Sequence, residues 1–238
     1  MLEIADLGVR FGGLQALDGV SVGVREGEIV GIVGPNGAGK TTLFNAISGM
    51  VRPQRGVVRF GGRDLSRSRE YERARLGIGR TFQIPQPMHE LTVAQNVTVA
   101  QRFGAGRIDA AHAEEVLRAT GLLAKRDADA ARELSLSELK ALEVAKALAM
   151  RPKLLLLDEV LAGLETTAKR TFARMLAEIH QRLSLALVVI EHDIEAISAL
   201  CPRVVVLDFG KVIADGTPAE VFNHPAVIAS YMGARAHA

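Results

Sequence analysis

The sequence predicts an α/β fold whose parallel sheet is covered by helices, and three observations carry that prediction. Glu28-Ile29-Val30-Gly31-Ile32-Val33 is short and rich in β-branched residues, the pattern of a buried parallel strand. The last third of the chain alternates apolar strands with helical stretches, as parallel strands joined by crossovers do. Between the first such strand and the first helix lies Gly34-Pro35-Asn36-Gly37-Ala38-Gly39-Lys40-Thr41, a complete G-x-x-x-x-G-K-[ST] loop.

The elements follow in order. Leu2 to Val24 and Val57 to Phe60 read as strands with turns at Gly12-Gly13, Gly19 and Gly61-Gly62, which suggests a small antiparallel sheet beside the loop. Lys40 to Ser48 places Leu43, Phe44 and Ile47 on one helical face. From about Pro85 to Met150 helical patterns dominate, with His112 to Thr120 and Ser135 to Met150 the clearest. Leu154 to Leu157 is a buried strand, Thr167 to Leu183 a helix, Leu185 to Ile190 a strand and Ile194 to Leu200 a helix. Arg203 to Leu207 and Lys211 to Ala214 form a hairpin turning at Asp208-Phe209-Gly210. The expected division is a core of residues 1–84 and 151–238 with a helical lobe of about 85–150 inserted.

Composition narrows the function classes. The chain has 238 residues, 48% hydrophobic and 24% charged, which suits one large domain with a substantial core. It has no Trp and 4% aromatic residues, against a stacking platform for single-stranded nucleic acid, and a net charge of +2 is too mild for a DNA-binding face. Cys201 stands alone, so the chain holds no internal disulfide. Met1 to Asp6 has no leader-like pattern, and the longest uncharged apolar runs are too short to span a bilayer. A soluble, cytosolic protein without nucleic-acid partners is expected, reaching any membrane through another subunit.

In the loop, glycines let successive N–H groups turn inward on phosphate oxygens, aided by the positive end of the following helix. Lys40 would reach the β- and γ-phosphates and the Thr41 hydroxyl would ligate Mg²⁺. A glycine-rich turn matches this pattern by chance at times, but here both flanks are those the mechanism needs. A nucleoside triphosphate is the expected ligand.

The second element is Leu154-Leu155-Leu156-Leu157-Asp158-Glu159, an apolar strand ending in two acids. The carboxyl edge of an open α/β sheet is where ligands gather. Asp158 would hold Mg²⁺ there, and Glu159 would orient or deprotonate the attacking water. Such a pair is alone often only a strand-to-loop boundary; its partnership with the loop favours the functional reading. Gln83, in Thr81-Phe82-Gln83, would touch Mg²⁺ or water, and His192, after the strand ending at Ile190, would hydrogen-bond a γ-phosphate. Each by itself is more often structural.

With these residues in order, the chain resembles the ATP-binding subunits of ABC transporters over nearly all its length. The resemblance implies a P-loop NTPase core of RecA-like type with a small antiparallel β subdomain and an inserted helical subdomain. It implies ATP and Mg²⁺ as cofactors. Phe11 would stack on adenine; Gly34, Pro35, Asn36, Gly37, Ala38, Gly39, Lys40, Thr41 and Thr42 would hold the phosphates. Gln83 would sense the γ-phosphate and His192 would act as a switch. Ser135 would open a signature helix that closes over ATP on the opposing subunit of a homo- or heterodimer. Transmembrane permease subunits and, indirectly, a periplasmic or surface substrate-binding protein would be partners, at the cytoplasmic face of the membrane.

Within the family, Arg10-Phe11-Gly12-Gly13-Leu14-Gln15-Ala16-Leu17, Arg80-Thr81-Phe82-Gln83, Leu91-Thr92-Val93, Ile190-Glu191-His192-Asp193, and the ending from Gly216-Thr217-Pro218 through Tyr231-Met232-Gly233 are most similar to the branched-chain amino acid transport ATPases. Urea-type and lipopolysaccharide-transport ATPases share much of this pattern. The chain departs from it at Leu134-Ser135-Leu136-Ser137-Glu138, where the family has Leu-Ser-Gly-Gly-Gln. Ser137 adds a β-carbon where backbone approaches phosphate, and Glu138 adds a carboxylate that a triphosphate repels. Ser135-x-x-Glu138 also reads as a capping box. Val160 replaces a proline, and Glu165 ends a loop that usually ends in Asp. A catalytic cassette with a weak signature is one expectation and a regulatory subunit is the other. Ile84-Pro85-Gln86-Pro87-Met88-His89 reads equally as a docking surface or a core-facing loop.

Overall fold

A computed structural model describes residues 1–235. The chain opens with strands β1 (Leu2–Phe11), β2 (Leu14–Val24) and β3 (Ile29–Val33), then helix α1 (Lys40–Ser48). Strands β4 (Arg55–Phe60) and β5 (Arg63–Asp64), helix α2 (Glu70–Leu76) and strand β6 (Ile78–Arg80) follow. Next come α3 (Val93–Ala100), α4 (Ala110–Ala119), α5 (Leu136–Ala149), β7 (Leu154–Asp158) and α6 (Thr166–Leu183). The chain ends with β8 (Ala186–Ile190), α7 (Ile194–Leu200), β9 (Arg203–Asp208), β10 (Lys211–Gly216), α8 (Pro218–Phe222) and α9 (Pro225–Arg235). It divides into two compact units, Met1–Arg73 with Ala186–Ala238, and Ala74–Leu185. The second therefore holds the helices of 85–150 together with β6, β7 and α6.

In the first unit β2, β1, β4 and β5 form an antiparallel sheet in that order. Gly19 is not a turn, as the sequence suggested, but a bulge inside β2. Leu7 pairs with Val20 and Val9 with Leu17, so β2 carries an extra residue, and the left-handed Gly19 (φ 72°) absorbs it. The bulge frees the Asp18 N–H to donate to the Gly210 carbonyl at 2.8 Å. Strand β3 runs parallel to both β8 and β9, and β9 turns back antiparallel into β10. Every residue of β3 and β8 is buried, which explains their unbroken apolar runs. Leu43, Phe44 and Ile47 of α1 are buried as their spacing predicts. Burial and the Glu191 carboxylate push the Cys201 thiol up to about 12, a packing cysteine and not a reactive one.

In the second unit β6 pairs parallel with β7, whose five residues are all buried. Side-chain caps set the starts of α3, α4 and α5. Thr92 and Gln95 make a capping box on α3, Asp109 caps α4, and Ser135 with Glu138 makes a second box on α5. Beyond α3 the chain widens into a π-helical turn, Gln101–Ala105, that the sequence did not announce.

Glycine is required where the backbone is tightest. Gly34 has φ 149°, and a Cβ there would collide with the Leu207 carbonyl. Gly39 (φ 102°) would set a Cβ 2.5 Å from the Ala16 carbonyl. Gly34→Ala should therefore lower stability by about 3 kcal/mol or more, backbone strain plus overlap. A urea titration should read this as a lower midpoint with an unchanged slope.

Candidate functional site

The first unit presents the glycine-rich loop. Gly37 (φ 79°) and Gly39 turn the chain through left-handed geometry into α1, whose N-terminus has no side-chain cap and no acid in its first turn. That leaves the positive end of the helix to an external anion. Lys40 is 6% exposed, and its ammonium donates to the Gly34 and Pro35 carbonyls at 2.7 and 2.9 Å, folded over the loop. Ala38 is buried, and its N–H donates back to the Pro35 carbonyl at 3.2 Å. Phe11 ends β1 half exposed, as an aromatic offered to a ligand would be. His192 is exposed just past β8, beside Asp193, which caps α7 through the Ala196 N–H at 3.2 Å.

The first unit also holds a residue that residue chemistry alone did not single out. Tyr231 of α9 is hydrogen-bonded to the Gly34 backbone; burial raises its phenol above 10 and that bond opposes the rise. Its only sequence signal was its place in the family-like ending.

In the second unit the structure brings Gln83 and Glu159 together. The Gln83 amide donates to the Glu159 carboxylate at 2.6 Å. Glu159 itself is left-handed (φ 50°), an uncommon backbone for a non-glycine, and the buried Lys140 donates to its carbonyl at 2.9 Å. Asp158 is 4% exposed and ion-paired with Arg80 at 3.0 Å, while its N–H donates to Thr81 Oγ1 at 3.1 Å. Arg80 also lies over the Phe82 ring, 5.4 Å from its centre. Arg80 and Lys140 were missed as site residues. Lys140 left a signal, a cation on the apolar side of a helix; Arg80 left none beyond its place before Thr81.

The segment Leu134 to Glu138 is the capping box the spacing allowed. Ser135 Oγ accepts from the Glu138 N–H at 3.4 Å, and the Ser135 N–H donates to the Glu138 carboxylate at 2.9 Å. That carboxylate is not unpaired, since Lys125 reaches it at 2.8 Å. Burial pushes the Glu138 carboxyl up, but the hydrogen bonds from Lys125 and from Ser135 outweigh it and hold it below its ordinary 4.5.

The segment 84–89 lies at the surface. Ile84 is 74% exposed, and a cavity of about 930 Å³ is lined by residues including Pro85, Pro87, Met88, Phe103 and Met150. The π turn sets Phe103, also 74% exposed, on its rim. Two clamps hold the segment. Glu143 accepts the Gln86 N–H at 2.8 Å and Lys146 donates to the Gln86 carbonyl at 2.7 Å, while the fully buried Asn96 accepts the Met88 N–H at 2.8 Å.

The ABC transporter family model matches residues 17–162, more than half of the chain. The chain belongs to the ABC transporter family. A model for branched-chain amino acid ATP-binding cassette transporters matches residues 211–237. The chain is 35% identical to a probable branched-chain amino acid transport ATP-binding protein LivG of Archaeoglobus fulgidus, covering 99% of this chain and 96% of that one. It is 34% identical to the high-affinity branched-chain amino acid transport ATP-binding protein BraF of Pseudomonas aeruginosa, over 98% of each. Among solved structures, MJ1267 in its ADP conformation, an ATP-binding cassette of an ABC transporter, matches with TM-score 0.88 and 30% identity over 98% of both chains.

As an ABC cassette the chain is an ATPase with an ATP-binding core of the P-loop type. Its residues fit the nucleotide, because an uncapped helix start, a loop with no room for a side chain at Gly34 or Gly39 and an ammonium folded over it make an anion cradle.

The Glu138 carboxyl, lowered on folding, stabilises the fold fully above its unfolded value of about 4.5 and less as pH falls through the lower folded value. Glu138→Gln should therefore lose less stability than the parent between neutral pH and about pH 3. The difference should be about 0.5 to 1 kcal/mol, given the partial exposure of the pair. Urea midpoints across that range measure it.

Proposed function

We propose that this chain is the ATP-hydrolysing subunit of an ABC importer for branched-chain amino acids, working at the cytoplasmic face of the membrane. The observation that carries the catalytic reading is the Glu159 carboxylate held at 2.6 Å by Gln83 with its own carbonyl fixed by Lys140. A carboxylate so placed can accept a proton from water in line with a γ-phosphate. The branched-chain amino acid transport relatives support the substrate class, and the family-like ending of the chain supports it again.

In this reading Phe11 stacks on adenine, and the backbone of Gly34 to Thr42 holds the phosphates. Lys40 turns from the loop carbonyls to the β- and γ-phosphates, and His192 contacts the γ-phosphate. Thr41, Gln83 and Asp158 are the residues that would hold Mg²⁺, which when bound offsets phosphate charge. For Asp158 this would mean sharing its carboxylate between Arg80 and the cation. Positioned charges then stabilise the transition state. Two cassettes, alike or different, close head to tail, and Ser135 of each faces the nucleotide of the other. Residues of about 85–150 act as the helical lobe, and the groove beside Ile84 to His89 receives a permease subunit, which in turn engages a substrate-binding protein.

A second reading, a regulatory cassette with little turnover, is favoured by one observation, the Ser137 and Glu138 substitutions in the signature segment. Glu159→Gln separates the two. The importer reading expects ATP binding to persist while transport-coupled turnover falls about 10²- to 10⁴-fold; turnover unaffected by this change would sink the catalytic assignment. Light scattering of the same variant with MgATP tests pairing: a dimer means the chain can serve as its own partner, and an ATP-binding monomer calls for a different cassette. The groove has its own test in Met88→Asp. Basal hydrolysis should stay near the parent level while transport per ATP drops, and unchanged coupling would rule against docking there.

A further inference from the structure

Glu138 is the residue of the signature segment least suited to a triphosphate, and the structure shows how it is handled. One carboxylate oxygen, Oε2, accepts from the Ser135 N–H at 2.9 Å, from the Ser135 hydroxyl at 2.8 Å and from the Lys125 ammonium at 2.9 Å. The other, Oε1, lies 2.8 Å from the same ammonium. Lys125 is 13 residues earlier, at the end of the 3₁₀ turn Leu123–Lys125, and it also points toward the Glu133 carbonyl at 3.5 Å. The Ser135 hydroxyl is thus spent on a carboxylate of its own segment, with Ser137 Oγ a further 3.2 Å neighbour. A hydroxyl has one proton to donate. For Ser135 to reach a γ-phosphate, that proton must leave Glu138, and the carboxylate must keep a partner and cease to repel the phosphate.

We propose that Lys125 is a positioning residue of the signature segment: its ammonium neutralises Glu138, so that the Ser135 hydroxyl can turn from that carboxylate to the γ-phosphate of ATP on the facing cassette. This rests on the reading of Leu134 to Glu138 as the signature segment. The turn needs only a change of the Ser135 side-chain rotamer. The bond from the Ser135 N–H to Glu138 stays, so one half of the capping box holds the start of α5 while the hydroxyl changes acceptor and gives up the Glu138 N–H. Lys125 here takes over, for a glutamate, the neutrality that the family's glutamine has by itself.

The test uses the membrane complex captured through a tag on this chain from its own cells, so that whichever partners it has are present. ATPase kcat and KM are measured for Lys125→Ala, Lys125→Arg, Glu138→Gln and the double variant Lys125→Ala/Glu138→Gln. Lys125→Ala should lower kcat/KM for ATP about tenfold, with the defect shrinking at high salt as the exposed charge is screened. Lys125→Arg should retain activity, and both Glu138→Gln and the double variant should stay within about twofold of the parent. A ligand-free structural pair would behave otherwise, because the double variant lacks the pair and would stay impaired. Activity of Lys125→Ala equal to the parent, or no rescue in the double variant, overturns the proposal. Ser135→Arg tells the two layers apart. If it leaves turnover intact, the signature reading falls and the proposal with it; if it abolishes turnover while Lys125→Ala does not, the proposal falls alone.

Discussion

A charge removed from water must be paired, and in this protein the pairs that satisfy that demand are what hold the loops of the site. Lys40 is buried and donates to two carbonyls of its own glycine-rich loop, which keeps the loop closed around the place a phosphate takes. Lys140 is buried in α5 and donates to the Glu159 carbonyl, holding that residue in left-handed backbone. Glu143, 4% exposed, binds the Gln86 N–H and Lys146 binds the carbonyl of the same residue. Asp158 and Arg80 bury each other. None of these charges is an isolated ion pair; each closes on main chain or on a residue of the site.

Helix α5 concentrates this effect. Its first turn carries the Ser135 and Glu138 cap, its middle the bond to Glu159, and its second half the clamp on Gln86. An α-helix with its hydrogen bonds intact is stiff, so these three attachments move together or not at all. That gives the groove beside Ile84 to His89 and the carboxylate of Glu159 a shared rigid mount within one compact unit.

The acids of the site also differ in how they are managed. Glu138 is folded inward on a lysine and a serine, and its carboxyl is lowered. The Glu159 carboxylate accepts from the amide of Gln83.

Much of the fold and part of the site were legible in the residues alone. Strand β3, the loop and α1 declare themselves because buried parallel strands are continuous apolar runs and the loop demands glycine at fixed offsets. The β9–β10 hairpin and the long α6 follow from turn chemistry and period. The capping box at Ser135 was readable because it is local, three residues apart. What the sequence could not decide was every pairing across distance: Arg80 with Asp158, Gln83 with Glu159, Lys140 with a carbonyl 19 residues on, Lys125 with Glu138. Long polar side chains reach several ångströms in any direction from their backbone, so spacing along the chain does not say which acid or carbonyl they meet. The bulge at Gly19 and the π turn at Gln101–Ala105 belong to the same class, being set by register and packing against neighbouring elements. Local chemistry chose the elements and the loop; only tertiary packing chose the partners of their charges.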